Sequence, residues 1–423
     1  MKKLFFLLLL VSITLTGVMA EPAYEKGVAE RVDGPFAAYA TPVHLTLGRV
    51  DHPNPNWPDG HDFYDNLYYD WMAENLNIIV TTAWLAADND AFNQKVALGL
   101  ASGDIPDIMK IQDKILFYKL AEAEAIGDFK PYFDENVSDY LRDVYGSYGS
   151  KALSMGRALD AGTVGGKLYG IPQTNIGEQQ NYLWVRTDWL DKVGLDIPTT
   201  LDEIVTVGLA FKNGDPDGNG KADTVGISGD LEVAGNYNRM HGWDPVFGMY
   251  GSYPRQWIRD ADGEVTYGTI EPETKKALAA LRSAFASGVI DPEFATRQNT
   301  NEVVANGKVG MIMGPWWAAH WPLNTTFDND KDARWFPVLA PVDSMGKLHG
   351  YSQDPAAQFL VMKAGLKNPE AVIKVLNASQ MFIQGHNPSA DEYIKAYYDD
   401  EGKKFVEWRT VPIDLQVAYE DTI

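Results

Sequence analysis

Between Phe63 and Ile111 the apolar residues alternate between two spacings, and that alternation leaves the chain few architectures. Phe63, Leu67 and Trp71 recur every fourth residue, the repeat of one helix face. LNIIVTTAWL (76–85) then reads as a strand, and Phe92, Val96 and Leu100 restore the helical repeat. Gly103 stops that helix, and PDIMKI (106–111) reads as another short strand. Strands joined by helices imply a parallel or mixed sheet covered on both faces.

The rhythm resumes after the Gly-rich VGGKLYGIP (164–172), with QQNYLWVR (179–186) as a strand and TDWLDKVG (187–194) as a short helix ended by Gly194. Thr200 and Glu203 have capping-box spacing, in which each side chain satisfies a free backbone N–H, so a helix is expected from Leu201. Leu278, Leu281 and Phe285 mark a further helix up to Gly288, and Asn368 before Pro369 starts one more. Two α/β halves result, with no internal repeat and no long linker.

The first twenty residues read as an export signal, with Lys2 and Lys3 at its positive end, an apolar run from Leu4 to Val11, and small residues Val18 and Ala20 before the cut. That run is too short to span a membrane comfortably. The expectation is a periplasmic or extracellular protein starting near Glu21. The chain has no cysteine, so disulfides are absent and a core or a bound metal must supply stability. With 58 acidic against 36 basic residues, a formal charge of −22, nucleic acid and anionic membranes are poor partners. Many carboxylates are left for hydroxyl groups or metal ions.

One local motif has metal-ligand spacing. In DPDGNGKADTVG, Asp215, Asp217, Asn219 and Asp223 stand at positions 1, 3, 5 and 9 of an EF-hand-like loop; Gly220 takes the turn at position 6 and Lys221 offers its carbonyl. Position 12 is Gly226 rather than Glu, so the bidentate ligand would have to come from elsewhere, with Asp230 and Glu232 as candidates. Two readings stay open: a structural Ca2+ site, or a solvated Asp/Gly turn. The other concentrated feature is GKVGMIMGPWWAAHW (307–321), whose Trp316, Trp317 and Trp321 follow a Gly-Pro step. A strand must stop at Pro315, so Trp316 is expected to emerge at a strand end. Trp317 and Trp321, four apart, would share one helix face and pack mainly in the core. Trp84 closes another strand, where ligands of open α/β sheets bind.

Five segments together resemble the extracellular solute-binding proteins of sugar ABC importers, the family that includes maltose-binding protein. They are LASGDIPDI (100–108), GKLYGIP (166–172), LWVRTDWLDKVGLDIPTTLDEI (183–204), GKVGMIMGPWW (307–317) and KNPEAVIKVLN (367–377). The resemblance implies the α/β, two-lobed periplasmic binding protein fold of type II, with a ligand cleft between lobes joined by crossing strands. The expected boundaries are a signal peptide at 1–20, lobe I at 21–172 returning at about 340–390, and lobe II at 173–339 with 391–423. GKLYGIP would be the first crossing and FPVLAP (336–341) the return. Two departures from the family stand out: there is no Cys to carry a lipid, and the chain stops at Ile423 where close-looking relatives continue with more helices, which leaves open a missing C-terminal part of lobe II.

The resemblance also implies ligand residues. Trp316, in the GPW step, would stack on a sugar ring, with Trp317 beside it. Asp113 would accept sugar hydroxyls, although a helix cap before KILFYKL explains it equally well. Gln173, Asn175, Trp243, Asp244, Trp257, Tyr351 and Asp354 are further, weaker candidates. The implied function is capture of a carbohydrate, in particular an oligosaccharide, by a monomer that delivers it to an ABC transporter permease without catalysis. The rival is a secreted carbohydrate-active enzyme, since glycosidases also combine aromatics with paired carboxylates. Neither an HExxH nor a GxSxG motif is present. A calcium-held surface module is a third reading, which the transporter-like segments disfavour.

Overall fold

The computed structural model describes residues 29–51, 62–148, 158–174, 181–235, 239–260, 262–297, 299–350, 356, 358–384, 411–415 and 417. The expected export signal, Asn175, Tyr351 and Asp354 lie outside the described residues.

In chain order, β1 (Val43–Val50) leads to α1 (Leu67–Leu76), whose cap Asn66 accepts the Tyr68 N–H. β2 (Ile78–Ala86), α2 (Asn89–Ser102) and β3 (Ile108–Ile111) complete the alternation read from the sequence. α3 (Lys114–Glu122), α4 (Lys130–Asn136) and α5 (Asp139–Ser147) follow, then the short strands β4 (Thr163–Val164), β5 (Lys167–Leu168) and β6 (Ile171–Pro172). β7 (Tyr182–Arg186), α6 (Thr187–Val193), α7 (Leu201–Asn213), β8 (Val225–Ile227) and α8 (Asp244–Met249) come next. The hairpin β9 (Trp257–Arg259) and β10 (Val265–Tyr267) precedes α9 (Pro272–Ser287), α10 (Asn301–Ala305) and β11 (Val309–Gly314). The last elements are α11 (Leu323–Asn329), β12 (Trp335–Val338), β13 (Phe359–Met362) and α12 (Glu370–Gln384). α7 starts at the capping box, with Thr200 and Glu203 bonded reciprocally.

The chain divides into two compact units. One runs through Gln173 and resumes from Ala356 to Val417; the other spans Thr174 to Pro355. The first is built on a sheet of order β2-β1-β3-β13-β6, with β1 parallel to β2 and β3 and β13 antiparallel to β3 and β6. Successive side chains sort to opposite faces, as the two-residue period of a strand requires. Ile108, Leu360 and Met362 join a core with Trp71, Met72 and much of α12, while Met109, Phe359 and Val361 pack with Phe92, Val96 and Phe117. The second unit repeats the plan on β12-β7-β11-β8: Leu183, Val185, Met311 and Met313 face α7 and α9, and Trp184 and Ile312 face α10 and α11.

Two boundaries differ from the sequence expectation. β12, which overlaps FPVLAP, pairs antiparallel with β7 in the second unit's own sheet, so the chain returns later, at Ala356. Val411, Ile413 and Leu415, expected with lobe II, are buried in the first unit's core; there Ser379 Oγ accepts the Ile413 N–H and Gln380 donates to the Leu415 carbonyl. An isolated apolar triplet of this kind has no periodicity that says which sheet it joins.

Candidate functional site

In the second unit β8 and β11 run parallel, Val309 opposite Val225 and Met311 opposite Ile227. Parallel strands carry their open crevice at their carboxyl ends. There a pocket of about 360 Å3 is lined by Asp230 and Glu232 after β8, by His241, by Arg297, Asn299 and Asn301 before and within α10, and by Trp317 and Trp321 after β11. Its size falls within the roughly 300–1,000 Å3 typical of small-molecule sites.

Backbone and core contacts fix the lining. Trp184 Nε1 donates to the carbonyls of Gly314 and Pro315, each at 3.2 Å, anchoring the point where β11 ends. Trp317 leans on the core formed by Trp184, Met240 and Ala318, leaving part of its indole toward the pocket. The His241 N–H donates to the Met313 carbonyl at 2.6 Å, with His241 in the left-handed region at φ 63°. On the far side Arg297 is clamped by Asp291, with Nε to Oδ2 at 2.5 Å, and by Glu293 at 2.9 Å. These carboxylates raise its pKa further. Burial pushes the His241 pKa below its ordinary value, outweighing its contact with Asn301 and the field of Asp230 and Asp291.

The acidic loop is a separate place. Asn219 Nδ2 donates to Asp217 at 2.6 Å and to Asp223 at 3.0 Å, Asp215 accepts the Gly220 N–H, and Lys308 Nζ lies 2.8 Å from Asp223. The Asp223 pKa is lowered, first by Lys308; that of Asp217 is raised, first by burial and then by the neighbouring Asp215. Asp215 Oδ1 is buried without a hydrogen-bond partner. Among the described residues, no three His, Cys, Asp or Glu side chains converge into a metal site. Position 12 of the motif is glycine for a packing reason: a Cβ on Gly226 would sit 2.6 Å from the Gly208 carbonyl oxygen of α7. Asp230 and Glu232, considered as substitutes, lie beyond the other end of β8 and line the pocket instead.

The remaining sequence candidates scatter. Trp243 is 3% exposed and packs in the second core, with Asp244 buried beside it at the start of α8, so neither is a lining residue. Trp316 is half-exposed and stands edge-on to His320 at 6.2 Å; it does not line the pocket. Trp321, expected in the core, is 49% exposed and does line it. The reason is local. Residues 316–319 form only a short 3-10 turn and Trp321 lies beyond it, so no extended helix buries its indole, and it lines the pocket beside Trp317. Trp84 packs on Phe92 in the first unit with Lys95 over its ring, and Asp113 caps α3 by accepting the Ile115 and Leu116 N–H groups. Gln173 is buried, its N–H donating to the Gln358 carbonyl. Trp257 is 73% exposed on the β9–β10 hairpin. Sequence reasoning missed Ser228, His241, Arg297 and Asn301. The only available signal was that one of just seven histidines lies two residues before Trp243.

The model of the family described as bacterial extracellular solute-binding protein matches residues 54–380. Lipoprotein LipO of Bacillus subtilis is 32% identical over 231 residues, 53% of this chain and 42% of LipO. The polygalacturonan/rhamnogalacturonan-binding protein YtcQ of the same organism is 28% identical over 57% of this chain and 44% of its own length. FusA, the fructooligosaccharide ABC transporter substrate-binding protein of Streptococcus pneumoniae, is 27% identical over 77% of this chain and 59% of FusA. The chain thus spans about half the length of the curated relatives it matches. The structure of FusA in complex with kestose superposes with a TM-score of 0.62 at 21% identity, covering 85% of this chain and 71% of that one. A FusA EF-hand mutant in complex with fructo-nystose superposes equally well at 20% identity, with the same coverage of each chain. At these identities the likeness is one of fold: the two-lobed α/β fold of periplasmic solute-binding proteins.

Proposed function

We propose that this chain, which belongs to the bacterial extracellular solute-binding protein family, captures a carbohydrate outside the cytoplasm and delivers it to an ABC transporter permease. One observation carries the reading: Trp317 and Trp321 share a pocket with Asp230, Glu232, Asn299 and Asn301. The C–H face of a sugar ring is apolar and packs flat on an indole, while its hydroxyls donate to carboxylates and exchange hydrogen bonds with amides. Trp316, half-exposed one residue before Trp317, would extend the aromatic surface for a second ring, which favours an oligosaccharide. FusA, a fructooligosaccharide-binding relative, supports the same reading. No bond of the sugar is broken: affinity comes from stacking, hydrogen bonding and loss of water.

A thermal-shift screen of the protein against mono- and oligosaccharides, with product analysis of every hit, tests this. Stabilisation by a sugar that is recovered intact is expected. Released reducing ends would select the enzyme reading, and the absence of stabilisation by any sugar would remove the carbohydrate altogether.

We propose also that the loop from Asp215 to Asp223 takes a structural calcium ion. The side chains of Asp215, Asp217, Asn219 and Asp223 with the Lys221 carbonyl would hold it, and the ion would supply the positive charge that relieves their mutual repulsion. The buried, unpartnered Asp215 Oδ1 and the raised Asp217 pKa support this, because both are costs that a cation removes. The Asn219 amide, now donating to Asp217 and Asp223, would turn its oxygen inward. A calcium held without a position-12 carboxylate has fewer charged ligands and correspondingly weaker affinity.

A further inference from the structure

We infer that the pocket at the ends of β8 and β11 selects neutral, hydroxyl-rich oligosaccharides and discriminates against uronate chains. The inference rests on the carbohydrate reading above and narrows it. Family membership does not choose, since the relatives include both a polygalacturonan-binding and a fructooligosaccharide-binding protein.

A uronate chain carries a carboxylate on every ring, so a site for it needs cations whose charge is not already balanced. Arg297 does not qualify. Its Nε and Nη2 are directed at Asp291, at 2.5 and 3.3 Å, and Nη2 also meets Glu293, so two carboxylates already face one guanidinium. Arg255 stands 3.7 Å from Glu232 and is likewise engaged. Among the described residues, Arg239 is the one lining cation without an ion pair, and it shares the pocket with Asp230 and Glu232. His241 adds no charge at neutral pH: its Nε2 faces the Asn301 side-chain oxygen and its Nδ1 the Ser228 hydroxyl, and its burial disfavours the cation. Counting the four charged lining residues and their direct partners gives three arginines and four carboxylates, a net of −1.

An incoming carboxylate would therefore meet at most one unbalanced cation and two carboxylates in its way, and like charges brought together in an interface oppose binding. A hydroxyl group meets the opposite situation. Asp230 and Glu232 accept its proton, Asn299 and Asn301 both donate and accept, and the two tryptophans take the ring faces. The formal charge of −22 on the whole chain adds a long-range bias against polyanions, felt most at low salt.

The test is calorimetric titration of the full chain with fructo-, malto-, manno- and galacto-oligosaccharides on one side and oligogalacturonates and alginate oligomers on the other, at low and at physiological salt. At least one neutral series should bind, with every uronate weaker by about tenfold or more. The gap should narrow in the Asp230→Asn/Glu232→Gln double variant, which removes the obstructing charges. A uronate that binds as tightly as the best neutral sugar, and loses that affinity in Arg239→Ala, would overturn the selectivity while leaving the carbohydrate reading intact. If neither series binds, the carbohydrate reading itself fails and takes this inference with it.

Discussion

Ser228 Oγ lies 2.6 Å from His241 Nδ1; both residues are buried, and His241 lines the pocket. The other ring nitrogen faces Asn301 Oδ1 at 3.0 Å, an acceptor, so the ring proton sits on Nε2 and Nδ1 receives the serine hydroxyl. Ser228 follows β8, the His241 backbone N–H donates to the Met313 carbonyl of β11, and Asn301 opens α10. The neutral imidazole therefore ties the end of β8 to α10, and the His241 backbone N–H ties the same residue to β11.

Acidification should loosen that tie. The folded pKa of His241 is lowered by burial, with the opposing pull of Asn301, Asp230 and Asp291 too weak to restore it. On lowering the pH, the unfolded chain takes up this proton before the folded one does. The stability contribution is thus complete above the ordinary His range and is lost as pH falls through it. Between about pH 7 and 5 the wild type should lose melting temperature faster than His241→Asn, whose amide does not titrate there. Parallel melting profiles for the two proteins would exclude a buried neutral His241.

The tryptophans separate by variant. Trp317→Ala and Trp321→Ala should each weaken sugar binding by about 2 kcal/mol, with Trp321→Ala staying close to wild-type stability because its side chain is half-exposed. Trp316→Ala should weaken long oligosaccharides more than short ones. Trp243→Ala should instead cost about 3–5 kcal/mol of folding stability, as removal of a buried indole does. Titration calorimetry and denaturant unfolding of the four variants read both quantities, and a Trp321→Ala protein that binds normally would remove Trp321 from the site.

Calcium should raise the melting temperature of the wild type, and chelation should lower it. Asp217→Ala is expected to lose most of this difference. The pKa of Asp217 is raised without a cation, so protons compete with the ion, and apparent calcium affinity should fall as pH drops toward the carboxylate range. Identical melting in chelator and in calcium would make the loop a turn held by Asn219 and Lys308 alone.

The fold was legible because its signals are local and redundant. The four-residue spacing in α2 and, from Leu67 onward, in α1, where Phe63 lies before the Asn66 cap, together with the capping box of α7 and the Gly-Pro stop after β11, depends on neighbours in sequence. The pocket was less legible, because residues from after β8, from α10 and from after β11 meet only through parallel strand pairing. Trp243 and Trp321 show the limit most clearly. Both are tryptophans beside short helical elements, yet Trp243, just before α8, packs in the core, whereas Trp321, between the 3-10 turn at 316–319 and α11, lines the pocket. Asp113, by contrast, has a local role as a helix cap that its sequence position allowed.

Gly226 carries the last prediction. An EF-hand pattern invites Glu at position 12, and Gly226→Glu looks like a way to complete the calcium site. Residue 226 lies in β8, however, directly against α7, where a Cβ would come within 2.6 Å of the Gly208 carbonyl oxygen and 2.8 Å of its carbonyl carbon. Those are backbone atoms of a helix, and they cannot turn aside as a flexible side chain would. Even Gly226→Ala should therefore cost about 1–3 kcal/mol through overpacking, and Gly226→Glu more, since its carboxylate would also be forced toward the apolar side of α7. Calcium affinity should not rise in either variant. Denaturant unfolding and calcium titration of Gly226→Ala and Gly226→Glu decide the matter. A Gly226→Glu protein with wild-type stability and tighter calcium binding would mean that β8 can draw back from α7 and that the loop can close around the ion.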